Sequence, residues 1–121
     1  MTREQWCGAL FGCIDAGNTR DFLAFLTPDA AFRFGSAPPA EGLSAIADAV
    51  DSFLRSVQSL SHRLLDVWSP SPDTVICRGE VTYLRLDGRS VILPFCNVLR
   101  MRGGSVSRYE IYLDPTPLVA A

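Results

Sequence analysis

The single histidine of this chain, His62, is the side chain best suited to acid–base chemistry near neutral pH. Imidazole can both donate and accept a proton in that range, so His62 is a candidate catalytic residue. It stands at the start of a predicted strand, SHRLLDVWS (61–69), which could line a cavity. A histidine without a visible partner is also common on surfaces and at strand ends, and this alternative stays open.

A second candidate group lies on the predicted strand DTVICRGEVTYLRL (73–86). Arg78, Glu80 and Thr82 share one face of it, because side chains alternate between the two faces of a strand. A buried arginine–glutamate pair could anchor a carbonyl or carboxylate or hold a water, and Glu80 could act as a base. The pattern alone favours the other interpretation, a solvated polar face with the apolar face inside.

Two further polar side chains could contact a ligand. Tyr109 lies on the predicted strand SVSRYEIYLD (105–114), where its hydroxyl could bind a ligand or its ring could pack in the core. Asn97 could orient a water molecule, but it could equally lie at an interface between subunits.

The cysteines favour neither a metal site nor a disulfide. They form no CxxC pair, and only one histidine could join them, whereas zinc sites need more closely spaced ligands. We therefore expect no metal, and no cofactor, because the chain has no glycine-rich phosphate loop. The more economical interpretation is four small, mostly buried apolar residues: Cys7, Cys13, Cys77 and Cys96.

Composition limits the class of protein. The chain has 121 residues, 48% of them hydrophobic and 20% charged, which is typical of one globular domain over residues 1–121. A net charge of −2 with no basic stripe argues against nucleic acid as a partner. The apolar runs are too short for a membrane span, and we see no signal peptide, so we expect no membrane partner and a cytoplasmic location.

The first half of the chain is predicted to be mainly helical. Thr2 and Gln5 form a capping box that begins a first helix. A short second helix starts near Thr19 and is closed by Pro28. Ser44 is predicted to cap a third, strongly amphipathic helix.

The second half is predicted to be a three-stranded antiparallel meander over 73–114, with tight turns at DG (87–88) and GG (103–104). Upstream, AAFRFG (30–35) is predicted to be a short strand. The following loop, SAPPAEG (36–42), could be either the lip of a pocket or a plain connector.

This order of elements, with the segments DAAFRFG, DGRSVILPF and RYEIYLDPTPL, resembles the nuclear transport factor 2-like superfamily and, within it, SnoaL-like domains. The resemblance implies an α+β cone in which three N-terminal helices pack in a curved antiparallel sheet around an apolar cavity. It also implies a homodimer formed through the outer face of the sheet. One such scaffold hosts many activities, so the fold does not decide the function.

The resemblance further implies that known catalytic sets of the superfamily are missing. Where steroid isomerases carry two aspartates, this chain carries Phe34 and Cys96, and neither can replace a carboxylate. The catalytic positions of the epoxide hydrolases are also occupied by other residue types. The SnoaL-like cyclases use a histidine and an aspartate on the last two strands, where this chain offers Glu110 and no histidine.

The register implied by the resemblance turns the polar face of strand 73–86 toward the cavity, against the pattern of the strand itself. On that register the catalytic candidates are His62 and Glu80. The ligand-binding candidates are Phe32, Phe34, Arg78, Thr82, Cys96, Asn97, Tyr109 and Ile111.

Two functions follow as hypotheses. The first is a cofactor-independent cyclase, isomerase or dehydratase that transfers a proton on a small hydrophobic molecule. The second is a non-catalytic ligand-binding or accessory dimerisation domain. A titratable pair that converges inside the cavity would favour the first hypothesis, and a wholly apolar cavity would favour the second.

Overall fold

A computed structural model describes residues 1–120 of the chain. The predicted α+β class is confirmed, with helices in the first half and a long-stranded sheet in the second. In chain order the elements are α1 (Arg3–Asp15), α2 (Thr19–Leu23), β1 (Leu26–Phe34), β2 (Ala40–Glu41), α3 (Leu43–Arg55), β3 (Val57–Ser71), β4 (Thr74–Arg85), β5 (Ser90–Arg102), β6 (Ser105–Tyr112) and α4 (Thr116–Val119).

The six strands form one sheet in the order β2-β1-β6-β5-β4-β3. The predicted meander is confirmed as β4, β5 and β6, and its turns place Gly88, Gly103 and Gly104 at positive φ, which glycine adopts without strain. The sheet is mixed rather than wholly antiparallel, because β1 pairs with β6 in parallel.

A bulge and a glycine mark the place where β3 and β4 bend together. The register of the pair shifts between Leu64 and Asp66, and a bulge of this kind bends a strand and increases its twist. At Gly79 the backbones approach so closely that a Cβ atom would lie 2.1 Å from the carbonyl oxygen of Arg63. Only glycine fits there without displacing the neighbouring strand.

The helices cover one face of the sheet, and α1 packs on β3 while α3 packs on β1. The buried core between the layers includes Leu10, Phe22, Ile46 and Leu99, all fully inaccessible to solvent. No helix among residues 1–120 combines the length and apolar character needed to cross a membrane.

The helix ends confirm one prediction and correct two. The capping box is present, since Gln5 N donates to Thr2 and the Gln5 side chain accepts from Thr2 N. Ser44 is not the cap of α3, which follows Gly42 without a side-chain cap. Pro28 does not close α2 but lies in β1, in the stretch where the register with β6 shifts and regular ladder bonds are interrupted.

Candidate functional site

A cavity of about 410 Å³ lies between the helices and the inner face of the sheet. This volume is in the range of small-molecule binding sites. Its walls are mainly aliphatic and aromatic, and the loop predicted as a pocket lip contributes Ala37, Pro38 and Ala40. The larger side chains in the walls are Ile14, Phe22, Phe32, Phe34, Phe53, Leu54, Leu60, His62, Tyr83, Phe95, Asn97, Tyr109, Ile111 and Leu113.

Strand register determines which side chains reach this cavity. Along β4, Cys77, Val81 and Tyr83 point inward and are at most 2% exposed. The residues that alternate with them along β4 point outward. Of the inward residues, Val81 and Tyr83 line the cavity. Next to β4, Asn97 of β5 pairs with Cys77 on one side and Ile111 on the other, which places all three in one inward row.

The expectation that Arg78, Glu80, Thr82 and Cys96 line the cavity is wrong, because the structure places all four on the outer face. Arg78 forms an ion pair there with Asp66, with 2.7 Å between Nε and Oδ2. The carboxylate of Glu80 lies 3.5 Å from Arg63 Nη1. A shift of one residue exchanges the two faces of a strand, so the pattern of β4 was the better guide than the implied register.

The remaining predicted site residues lie together in the cavity walls. These are His62, Phe32, Phe34, Asn97, Tyr109 and Ile111. Phe32 and Tyr109 are partners in the register between β1 and β6, and their ring centroids lie 5.1 Å apart. Their roles toward a ligand stay predictions.

His62 has a partner that the sequence analysis missed, the carboxylate of Asp15 at the end of α1. Nδ1 of His62 lies 2.6 Å from Asp15 Oδ1, and the backbone N of His62 donates to Asp15 Oδ2 at 2.9 Å. Both carboxylate oxygens are therefore used to hold one residue. Because Nδ1 is bound to the carboxylate, Nε2 is left as the ring nitrogen available to a ligand.

Two phenylalanine rings fix the plane of the imidazole. Phe11 stacks on His62 with 4.6 Å between centroids and 12° between planes. Phe95 meets the same ring edge-on, with centroids 5.4 Å apart. Contacts of this geometry are favourable between aromatic rings, so the orientation of His62 is set from three sides.

The partner could have been found from the spacing of α1. Asp15 comes one helical turn after Phe11, so both project from the same side of the helix. A carboxylate that continues an apolar stripe is unusual, because burial of a charge requires a partner. The only histidine of the chain was the natural partner to consider.

The tyrosines of the cavity are neutral hydrogen-bonding groups. Burial, followed by the nearby charge of Asp15, raises the pKa of Tyr83 to about 12. Burial also raises the pKa of Tyr109 well above its ordinary value. Neither hydroxyl can serve as a base near neutral pH, so among these groups acid–base chemistry falls to His62.

No three histidine, cysteine or acidic side chains within residues 1–120 come together in a way that could hold a metal ion. All four cysteines are free, and Cys7 and Cys77 are buried completely in the core.

No curated protein matches this chain, but several solved structures share its fold. An NTF2-like protein of unknown function from Burkholderia pseudomallei K96243 is 17% identical, with both chains covered completely and a TM-score of 0.89. A candidate polyketide cyclase from Xanthomonas campestris pv. campestris is 19% identical over 97% of this chain and 93% of its own, with a TM-score of 0.80. TerC, co-crystallized with polyporic acid, is 16% identical over 95% of this chain and 93% of its own, with a TM-score of 0.83.

The family is shown by a match in sequence. The sequence model of the SnoaL-like domain matches residues 8–109, which is most of the chain. The matched region begins in α1 and ends in β6, so it includes most of the elements that form the cavity. This chain therefore belongs to the SnoaL-like domain family.

Proposed function

We propose that this protein binds a small, largely hydrophobic molecule in its inner cavity and transfers a proton to or from it, with His62 as the acid–base group. The observation that carries the proposal is the His62–Asp15 pair at the wall of an otherwise apolar cavity. A carboxylate on one ring nitrogen fixes the tautomer of a histidine and stabilises its protonated form, which is the arrangement used in general acid–base catalysis.

Accessibility of the second ring nitrogen supports this role. Nε2 of His62 has no hydrogen-bond partner among residues 1–120, and it is not among their fully buried polar atoms. The side chain as a whole is only 12% exposed. A ligand in the cavity could therefore meet Nε2 in surroundings with little water, where a proton transfer is least disturbed by solvent.

The chemical class of the ligand follows from the walls and the relatives. Phe22, Phe32, Phe34, Phe53 and Phe95 offer ring faces and edges that suit a flat, conjugated molecule. Some structural relatives are candidate polyketide cyclases, which supports cyclisation, isomerisation or dehydration as the reaction class. These reactions need proton transfer at carbon or oxygen and no cofactor.

A small aromatic substrate for general-base catalysis tests the proposal directly. 5-Nitrobenzisoxazole loses one carbon-bound proton to a base, its N–O bond breaks, and a coloured cyanonitrophenolate is released. His62→Gln should slow this elimination about 100-fold, and Asp15→Asn should slow it about tenfold. Glu80→Gln is the matched control, since its carboxylate is on the outer face, and it should keep the full rate.

The second hypothesis is that the protein binds a ligand without catalysing a reaction. One observation favours it, and one result of the elimination assay would support it. Apart from His62, the walls hold neutral polar and apolar side chains, and such a cavity can simply retain a ligand. If His62→Gln matches the unsubstituted protein in the elimination assay, the acid–base role is rejected and the binding function is favoured.

We also propose that the outer face of the sheet joins two copies of the chain. Trp68, Ile92 and Tyr112 are each about half exposed or more, on strands whose outward rows form one surface. Trp68→Glu should shift the protein from dimer to monomer in sedimentation equilibrium. Leu86→Glu, at a more exposed apolar residue after the end of β4, should leave the mass unchanged. A monomeric unsubstituted protein would reject this arrangement.

The free cysteines support the predicted cytoplasmic location. Cys7, Cys13, Cys77 and Cys96 are all free thiols, as is usual for proteins of reducing compartments.

A further inference from the structure

A buried amide oxygen in the cavity wall lacks a hydrogen-bond partner. Asn97 is 2% exposed, and its Oδ1 is the one fully buried side-chain polar atom within residues 1–120 that has none. Its row neighbours, Cys77 and Ile111, offer no strong donor. An unpaired buried acceptor is unfavourable, so its persistence needs an explanation.

The other end of the same amide contacts Tyr109. Nδ2 of Asn97 donates to the Tyr109 hydroxyl oxygen at 3.5 Å. The hydroxyl proton of Tyr109 has no acceptor among the described residues. Together the two side chains hold one free acceptor, Asn97 Oδ1, and one free donor, the Tyr109 O–H, next to each other in the cavity wall, where they are almost completely covered and a ligand contacts them only after a small side-chain movement.

We propose that Asn97 and Tyr109 form a subsite for a neutral hydroxyl group of the ligand. The ligand O–H donates to Asn97 Oδ1, and the ligand oxygen accepts from the Tyr109 hydroxyl. The inference deepens the proposed function and rests on it, because it names the class of ligand as a hydroxylated aromatic or enol.

The charge state of the walls makes the subsite selective for neutral groups. The side chains that line the cavity include no arginine and the chain has no lysine, so the one described wall residue that could carry a positive charge is His62, which already contacts the carboxylate of Asp15. Tyr109 stays protonated because burial raises its pKa well above the usual value. Moving a charged group from water into such surroundings is costly.

The register places this subsite away from His62. His62 pairs with Val81, which pairs with Leu93, so Asn97 lies two strands across and four residues along the sheet. Four residues correspond to ~13 Å along a strand, whereas the bend of β3 and β4 brings the strands closer across the sheet, since Phe95 of β5 already meets the His62 ring with 5.4 Å between centroids. The subsite is therefore a position separate from His62, and the ligand hydroxyl that it binds is not the group that exchanges a proton with His62.

Three naphthalene derivatives test the subsite on the full protein. 2-Naphthol carries the hydroxyl, 2-methoxynaphthalene lacks its donor, and 2-naphthoate is an anion. We expect calorimetric titration to show 2-naphthol binding about tenfold more tightly than 2-methoxynaphthalene, and 2-naphthoate more weakly than either.

Two variants assign that preference to residues. Asn97→Leu should reduce the difference between 2-naphthol and 2-methoxynaphthalene to less than twofold and should raise the melting temperature of the free protein, since it removes an unpaired buried oxygen. A purely structural asparagine would give a lower melting temperature instead. Tyr109→Phe should weaken the binding of 2-naphthol severalfold. If Asn97→Leu does not fold, the result for Tyr109→Phe alone tests the subsite. Thr82→Val, on the outer face, is the control.

The outcomes separate the two proposals. If the unsubstituted protein binds 2-naphthol and 2-methoxynaphthalene equally, the subsite is rejected while the hydrophobic ligand pocket stands. If none of the three compounds binds, both proposals fail.

Discussion

Neighbouring residues of β3 contact carboxylates on opposite sides of the sheet. His62 points inward to Asp15, and the side chains are 12% and 25% exposed. Arg63 points outward to Glu80, and those side chains are 76% and 43% exposed. A hydrogen bond to a carboxylate is weak where water competes for it and stronger where water is excluded, so the inner contact holds its side chain in one orientation more firmly than the outer one.

The two faces of β4 show the same division. Inward residues such as Val81 and Tyr83 pack in the core and cavity wall, whereas outward residues such as Arg78 and Thr82 meet solvent. One strand thus supplies a binding surface and a solvated surface by alternation alone. Chemistry in this fold therefore depends on register more than on composition.

The largest effect is expected where β3 and β4 bend together. Gly79→Ala should destabilise the protein by about 3 kcal/mol, because the added Cβ would overlap the Arg63 carbonyl oxygen and force the strands apart. Urea unfolding measures the change. Gly8→Ala in α1 is the matched control, since a Cβ there meets nothing within 4 Å, and it should stabilise by up to about 1 kcal/mol. Equal effects of the two substitutions would contradict the account.

The second-largest effect is expected at alkaline pH, where ionisation of Tyr83 on the inward face of β4 should lower the free energy of unfolding. The folded protein keeps the Tyr83 proton up to about pH 12, whereas the unfolded chain loses it near pH 10, its ordinary pKa. This contribution is complete below pH 10 and is lost as pH rises toward 12, by roughly 2–3 kcal/mol. Urea unfolding at intervals from pH 9 to pH 12 measures it, and Tyr83→Phe should make the decline smaller, with the rest due to Tyr109, whose pKa is also raised by burial. A profile that is the same for both proteins would refute the assignment.

Loss of the inner carboxylate should have an intermediate effect. Asp15→Ala removes two hydrogen bonds to His62, one of them from a backbone N–H that would then lack a partner, so we expect a loss of about 2 kcal/mol. Chemical denaturation at neutral pH gives the value. His62→Gln in the Asp15→Ala background should add little, since the two residues act as one unit. Fully additive losses would show that they do not.

Local signals in the sequence predicted much of the fold. The capping box of Thr2 and Gln5 and the glycine turns after β4 and β5 depend on residues within a few positions of one another. Turn chemistry and the alternation of apolar and polar residues predict the meander without any tertiary contact. The features that local rules missed, Pro28 in β1 and the cap of α3, are set by pairing with distant strands and by a glycine at positive φ.

The site was less predictable because its parts meet over long separations. Asp15 and His62 are 47 residues apart, and nothing in the local pattern states that they touch. The inward direction of Asn97 depends on the register across β4, β5 and β6. Where the implied register and the alternation of β4 disagreed, alternation was correct, because burial of Val81 and Tyr83 outweighs any benefit from turning Arg78 inward.

The smallest effect is expected on the outer face of the sheet. Glu80→Gln should change the free energy of unfolding by less than about 0.5 kcal/mol, because its pair with Arg63 is exposed and the donor is 3.5 Å away. Raising the salt concentration should abolish even this difference, whereas the cost of Asp15→Ala should persist, since the inner pair is shielded by Phe11 and Phe95. Denaturation at low and high salt compares the two directly. If both substitutions lost their effect in salt, the inner pair would be an ordinary surface pair, and the case for His62 as a positioned acid–base group would lose its physical basis.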